Sequence, residues 1–186
     1  MRNLIPITAL GGQDAQVDSH GGVTCTEVPN VALASFAGRS GQEKQAQKVL
    51  AKALGATVPD VAKLVEGDLT AFWMGPDQWM VEAPLTSREG LAQELAELAS
   101  GVASVTEQTD AWTRFDLTGE RLEAVLELLC QMNIRAMTGG EAQRGAIHHL
   151  GCFVLCRNTA HFSIYGPRAS AGSLHHAIVS AMKSAF

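Results

Sequence analysis

Apolar and polar positions are most clearly patterned between Ala71 and Ala83. Phe72, Met74 and Met80 fall on one strand parity, and Trp73, Trp79 and Val81 on the other. Both parities are largely apolar, which predicts a strand pair covered on both faces. Gly75-Pro76-Asp77-Gln78 interrupts the run. Proline presets φ for the second position of a turn and aspartate suits the third, so the segment reads as a hairpin closed by a type I turn. Two of the three tryptophans sit here. Indole rings bury large areas, so a core nucleus is expected, with a substrate cage as the lesser alternative.

Val31–Ala37 reads as a strand. A helix follows over about 42–54, capped by Ser40, with Val49, Leu50, Ala53 and Leu54 as its stripe and Gly55 as its stop. After the hairpin, Thr86-Ser87-Arg88-Glu89 matches a capping box. It predicts a helix to about Ser100 that buries Leu91, Leu95 and Leu98 and stops at Gly101. The order then begins again. Ser104–Gln108 reads as extended, Thr109-Asp110 as a turn, and Trp112–Leu117 as a strand. Thr118 is placed to cap a helix to about Cys130, with Leu122, Val125, Leu126 and Leu129 at helical spacing. A loop with Gly139-Gly140 and Gly145 leads to strands over 152–157 and 161–165, turned by Asn158-Thr159-Ala160. A last helix from about Ser170 buries Leu174, Ala177, Ile178, Ala181 and Met182.

Residues 1–27, with Gly11-Gly12 and Gly21-Gly22, read as a flexible N-terminal arm that orders on assembly. The predicted organisation is that arm, a first α+β unit over 28–102 and a second over 103–186, together one compact domain. The fold class is α+β, with duplicated strand-helix-hairpin-helix units and mainly antiparallel sheets covered by helices. Right-handed crossovers place both helices of each half on one sheet face.

Composition narrows the function. The 186 residues carry a net charge of −5 with a pI near 5.6. No basic cluster offsets this, which argues against nucleic acid. Charged residues are 18%, below the roughly 25% usual for soluble domains. Surface hidden against a partner fits that deficit. No run is long enough to span a bilayer. Leu4-Ile5-Pro6-Ile7 is too short for a signal-peptide core, so a cytoplasmic location is expected, with the four cysteines reduced.

Candidate chemistry is sparse. Cys130, His148, His149, Cys152, Cys156 and His161 lie close in sequence. Yet Cys152 and Cys156 on one strand stand about 13 Å apart, too far to chelate one ion. Neighbouring histidines in His148-His149 and His175-His176 diverge on a strand or a helix, so each pair reads as one half-buried and one solvated ring. Gly139–Gly145 lacks a full phosphate-binding pattern and reads as a surface turn, in which Arg144 is available to pair with a partner's carboxylate. No Gly-x-Ser-x-Gly elbow occurs. Glu94 and Glu97 read as a solvated helix face. Asp110, Arg114 and Asp116 are the charges hardest to dismiss. Arg114 and Asp116 share strand parity with Trp112 and read as a polar strand face.

The run Phe72-Trp73-Met74-Gly75-Pro76-Asp77-Gln78-Trp79-Met80-Val81 resembles the gamma subunit of heterotetrameric sarcosine oxidase. So do Ser104–Gln108, Arg114–Gly119, Cys130-Gln131-Met132-Asn133-Ile134, Gly140, Arg144, Arg157, His161-Phe162 and Arg168-Ala169-Ser170-Ala171. By element order the resemblance runs from about Val28 to the C-terminus. It implies a fold similar to the aminomethyltransferase of the glycine cleavage system. It also implies partners: alpha, beta and delta subunits of an oxidase that demethylates sarcosine to glycine with oxygen and tetrahydrofolate. FAD, FMN, NAD, zinc and tetrahydrofolate are then implied for those other subunits, and none for this chain. Aminomethyltransferases carry an acidic Gly-Gly-x-x-Asp-Asp-type run where this hairpin has Gly75-Pro76-Asp77-Gln78. Asn133 and Gly145 also stand where the gamma family is expected to have acidic and hydroxyl residues. No catalytic, cofactor-binding or metal-binding residue is therefore carried over. The alternatives are a free-standing folate-binding or aminomethyltransferase-like protein, or a subunit of a related N-methyl amino acid dehydrogenase.

Overall fold

Residues 5–186 are described by a computed structural model; Met1–Leu4, the start of the expected arm, lie outside the described residues. In chain order the elements are β1 (Val17–His20), β2 (Val23–Glu27), β3 (Val31–Gly38), α1 (Glu43–Leu54), β4 (Leu64–Val65), β5 (Thr70–Gly75), β6 (Gln78–Pro84), α2 (Leu85–Arg88) and α3 (Leu91–Ala99). Then come β7 (Ala103–Glu107), β8 (Trp112–Gly119), α4 (Leu122–Leu129), β9 (Glu141–Ile147), β10 (Leu150–Asn158), β11 (His161–Pro167) and α5 (Ala171–Ala185). They form two compact units. One is Asn30–Thr109; the other joins the chain up to Pro29 with Asp110–Phe186.

The Asn30–Thr109 unit holds a five-stranded sheet in the order β4-β5-β6-β3-β7, antiparallel throughout. The predicted hairpin is β5 and β6, with Trp73 opposite Trp79 and Phe72 opposite Met80. Ala71, Trp79 and Val81 share one core with Leu50 of α1 and with Leu91 and Leu95 of α3, so both helices cover the same sheet face. Phe72 and Met80 on the other face are buried as well. Each such large apolar side chain contributes roughly 2 kcal/mol by leaving water.

Local chemistry departs from expectation at several points here. Asp77 takes φ 52, a left-handed value that belongs to the third position of a type II turn, not of type I. The Asp77 carboxylate is held there by Gln47, whose Nε2 donates to Oδ1 at 3.0 Å. Ser40 does not cap α1; Gln42 precedes the helix and makes no side-chain cap. Gly55 closes α1 with φ 64, as read. The Thr86–Glu89 box makes no cap either. Pro84 precedes α2, Ser87 donates back to the Pro84 carbonyl, and the chain breaks at Gly90 before α3 begins. Leu98 is exposed, not buried. β7 pairs with β3, setting Val105 opposite Phe36, which moves the unit boundary from 102 to Thr109.

The second unit holds a six-stranded antiparallel sheet in the order β1-β2-β8-β11-β10-β9. α4 and α5 cover one face, packing Val125, Leu126, Leu174 and Ile178 on Phe115, Leu117, Val154 and Ile164. Three readings change. Residues 17–27, expected in a flexible arm, form β1 and β2, and β2 pairs with β8. The segment ahead of them is tied to buried Glu27, whose carboxylate accepts the amides of Leu10 (3.0 Å) and Gln16 (3.2 Å). The Gly139–Gly145 stretch is an edge strand over much of its length, because β9 pairs along β10. A Cβ at Gly145 would lie 2.5 Å from Met132 Cε, so the bare strand makes room for that side chain. Thr118 belongs to β8, and α4 is preceded by Arg121 at φ 59.

Candidate functional site

A polar cluster lies on the face of the six-stranded sheet away from α4 and α5. Strand alternation builds it. Arg114 and Asp116 take the opposite parity to Phe115 and Leu117 on β8. His161 and Ser163 take the opposite parity to Phe162 and Ile164 on β11. Register sets Ser163 directly across from Asp116.

Asp116 is the hub. Arg114 donates Nε to Oδ1 and Nη2 to Oδ2, each at 2.7 Å. Ser163 Oγ donates to Oδ1 at 2.7 Å, and His161 Nε2 lies 3.0 Å from Oδ2. Arg157 on β10 donates Nε to Ser163 Oγ at 2.8 Å. The Arg114 and Asp116 side chains are each 14% exposed, and Ser163 is fully buried. Burial pushes the Asp116 carboxyl up. The Arg114 fork, then Ser163 and His161, outweigh it and hold the group below its ordinary value.

Serine, histidine and aspartate meet here, but not as an acyl-transfer triad. That chemistry needs the imidazole between the hydroxyl and the carboxylate. Here hydroxyl and imidazole both address the carboxylate, and the serine oxygen accepts from Arg157. The arrangement orients and neutralises charge; it does not make a nucleophile. Arg114 and Asp116 were legible as one parity. Their partners His161, Ser163 and Arg157 were not read as site residues, although the alternation His161-Phe162-Ser163-Ile164 marks the face.

The other residues singled out in the sequence are dispersed. Asp110 is exposed and borders a surface cleft with Thr8 and Arg168, apart from the Asp116 hub. His148 and His149 are both exposed and form the tight turn between β9 and β10, with φ 45 and 69. That corrects their reading as one half-buried ring and one solvated ring: two successive left-handed residues are what a two-residue hairpin loop requires. His175 is half-buried and meets Asp18 Oδ2 at 2.9 Å, while His176 is exposed. Glu94 pairs with Arg88 at 2.7 Å on an exposed face. In the glycine-rich loop the Glu141 carboxylate accepts the amides of Thr138 and Gly139, at 3.1 and 2.8 Å, so a side chain already occupies those donors. The Arg144 guanidinium lies 5.5 Å from the Phe153 ring centroid.

All four thiols are free and buried. Burial pushes Cys25 up to about 12 and Cys152 and Cys156 up to about 11, so these thiols stay protonated at neutral pH. Cys152 and Cys156 face the helix-covered core with Val154. Among the described residues no three His, Cys, Asp or Glu side chains are grouped to hold a metal ion. No described helix is long and apolar enough to cross a membrane.

Antiparallel sheets with paired covering helices define an α+β fold of the kind found in sarcosine oxidase and aminomethyltransferase chains. No protein-family model matches the sequence, and no curated protein matches it. Solved structures do. A chain of the heterotetrameric sarcosine oxidase from Corynebacterium sp. U-96, in complex with pyrrole 2-carboxylate, is similar at TM-score 0.74 and 19% identity, over 91% of this chain and 88% of that one. The glycine cleavage system aminomethyltransferase T from Bartonella henselae is similar at TM-score 0.60 and 15% identity, over 82% of this chain and 44% of that one. At such identities the likeness is one of fold.

Proposed function

We propose that this chain is the gamma-type subunit of a cytoplasmic heterotetrameric sarcosine oxidase, a supporting rather than a catalytic component. The observation that carries this reading is the near one-to-one correspondence with a chain of that oxidase, 91% of this chain against 88% of that one. The aminomethyltransferase is matched over 44% of its length, which favours a subunit over a free-standing transferase. The Asp116 cluster supports the same reading, because its hydroxyl and carboxylate are committed to neighbours rather than poised for proton transfer. In this proposal the partners are alpha, beta and delta subunits. They hold FAD, FMN, NAD, zinc and tetrahydrofolate, and the assembly demethylates sarcosine to glycine. A related N-methyl amino acid dehydrogenase would place the chain in the same role.

The duplication read from the sequence belongs to this proposal. β3, α1, β5–β6 and α3 in one unit follow the same order as β8, α4, β10–β11 and α5 in the other.

Co-expression with candidate partner subunits followed by size-exclusion chromatography tests the assignment. Co-elution at fixed stoichiometry is the expected result. Separate elution, together with calorimetric heat when tetrahydrofolate is added to the isolated chain, would replace the subunit reading with that of a folate-binding protein.

A further inference from the structure

The Trp hairpin also borders an open cleft of about 460 Å³ in the Asn30–Thr109 unit. This size falls within the roughly 300–1,000 Å³ of small-molecule sites. Trp79 is nearly buried and fixed, its Nε1 donating to the Pro59 carbonyl at 2.9 Å. Trp73 is half-buried and forms an aromatic wall, and exposed Val61 adds apolar surface. The charged side chains on the lining are Asp60 and Asp77, with no lysine, arginine or histidine. Asp77 accepts from Gln47 through Oδ1, and Asp60 accepts the Val61 amide through Oδ1 at 2.7 Å. Among the described residues neither carboxylate has an ion-pair partner, and the second oxygen of each is uncommitted.

An indole wall beside unneutralised carboxylates attracts cations, through the negative face of the ring and through charge. Apolar walls disfavour a strongly hydrated metal ion and favour a cation that carries its own alkyl surface. We propose that this cleft binds an organic ammonium ion bearing N-alkyl groups, with Trp73 against the alkyl groups and Asp60 and Asp77 balancing the charge. The site uses none of the groups of the Asp116 cluster, and its test needs no partner subunit.

The test is a titration of the whole chain with tetramethylammonium chloride, followed through the indole N–H signals and set against sodium chloride at equal ionic strength. Saturable shifts of Trp73 and Trp79 are expected, with Trp112, in the other unit, unmoved. Asp60→Asn and Asp77→Asn each weaken binding roughly threefold or more, as loss of one attractive charge implies. Asparagine tolerates the left-handed φ at 77, so the turn is kept. Trp73→Ala removes saturation. Neutral tert-butanol, of similar shape, gives no saturable shift. Equal binding of tert-butanol would mean a merely apolar groove and would overturn the proposal. So would shifts no different from sodium chloride, or unchanged affinity in an Asp60→Asn/Asp77→Asn chain whose spectrum stays native.

Discussion

The helix-bearing faces of the two sheets are built alike, and their opposite faces are not. In the five-stranded sheet the opposite face buries Leu33, Leu64, Phe72 and Met80, with Thr70 and Glu82 as its buried polar members. In the six-stranded sheet the corresponding face carries Arg114, Asp116, His161, Ser163 and Arg157 beside Phe153, Leu155 and Tyr165. The first face is held mainly by volume, so it tolerates many apolar substitutions of similar size. The second is held by directional pairing. A one-residue slip between β8 and β11 would take Ser163 away from Asp116 and turn Asp116 toward the helix-covered core.

Substitutions sharpen this contrast. Phe72→Ala leaves a cavity in the apolar face and is expected to cost about 3–5 kcal/mol, with Phe72→Leu recovering most of it; urea unfolding measures both. Asp116→Ala takes away the acceptor shared by Arg114, Ser163 and His161 and leaves charge buried, at about 3 kcal/mol. Here a similarly sized apolar residue, Asp116→Leu, should not rescue. If it does, the polar face is held by packing after all.

The two faces should also differ in their response to acid. The Asp116 carboxyl is held below its ordinary value in the folded chain. Its contribution to stability is therefore fully present above the unfolded carboxyl pKa, about 3.9. It is lost as pH falls through the lower folded value. Asp116→Asn should flatten that acid limb, whereas Phe72→Leu should leave its shape unchanged. Thermal melts between neutral pH and about pH 3 compare them. The smallest effect is expected at Glu27→Gln. It weakens the acceptor for the Leu10 and Gln16 amides at about 1 kcal/mol and speeds their hydrogen exchange, while β8 and β11 stay protected.

The same contrast explains what the sequence disclosed. The Ala71–Ala83 hairpin was legible because dense apolar alternation and a Pro-Asp turn speak for themselves. The apolar stripes of α1, α4 and α5 were legible for the same reason. β1 and β9 were not. Val17–His20 is almost wholly exposed, and Glu141–Ile147 mixes Arg144 and Gly145 into an edge strand, so neither alternates as a half-buried strand does. The capping box at Thr86 failed because Pro84 and Gly90 set the local backbone. At the polar cluster, shared parity of Arg114 and Asp116 was visible. The partners that complete it lie 45 and 47 residues away, at His161 and Ser163. Only the pairing of β8 with β11 brings them together, and no local pattern specifies that pairing.

The most direct test of the account is sarcosine-dependent hydrogen peroxide formation by the assembly purified with and without this chain, with the isolated chain as a third sample. A supporting subunit predicts activity in the complete assembly, a marked fall when this chain is omitted, and none from the chain alone. Full activity without it, or peroxide formation by the chain alone, would contradict the account.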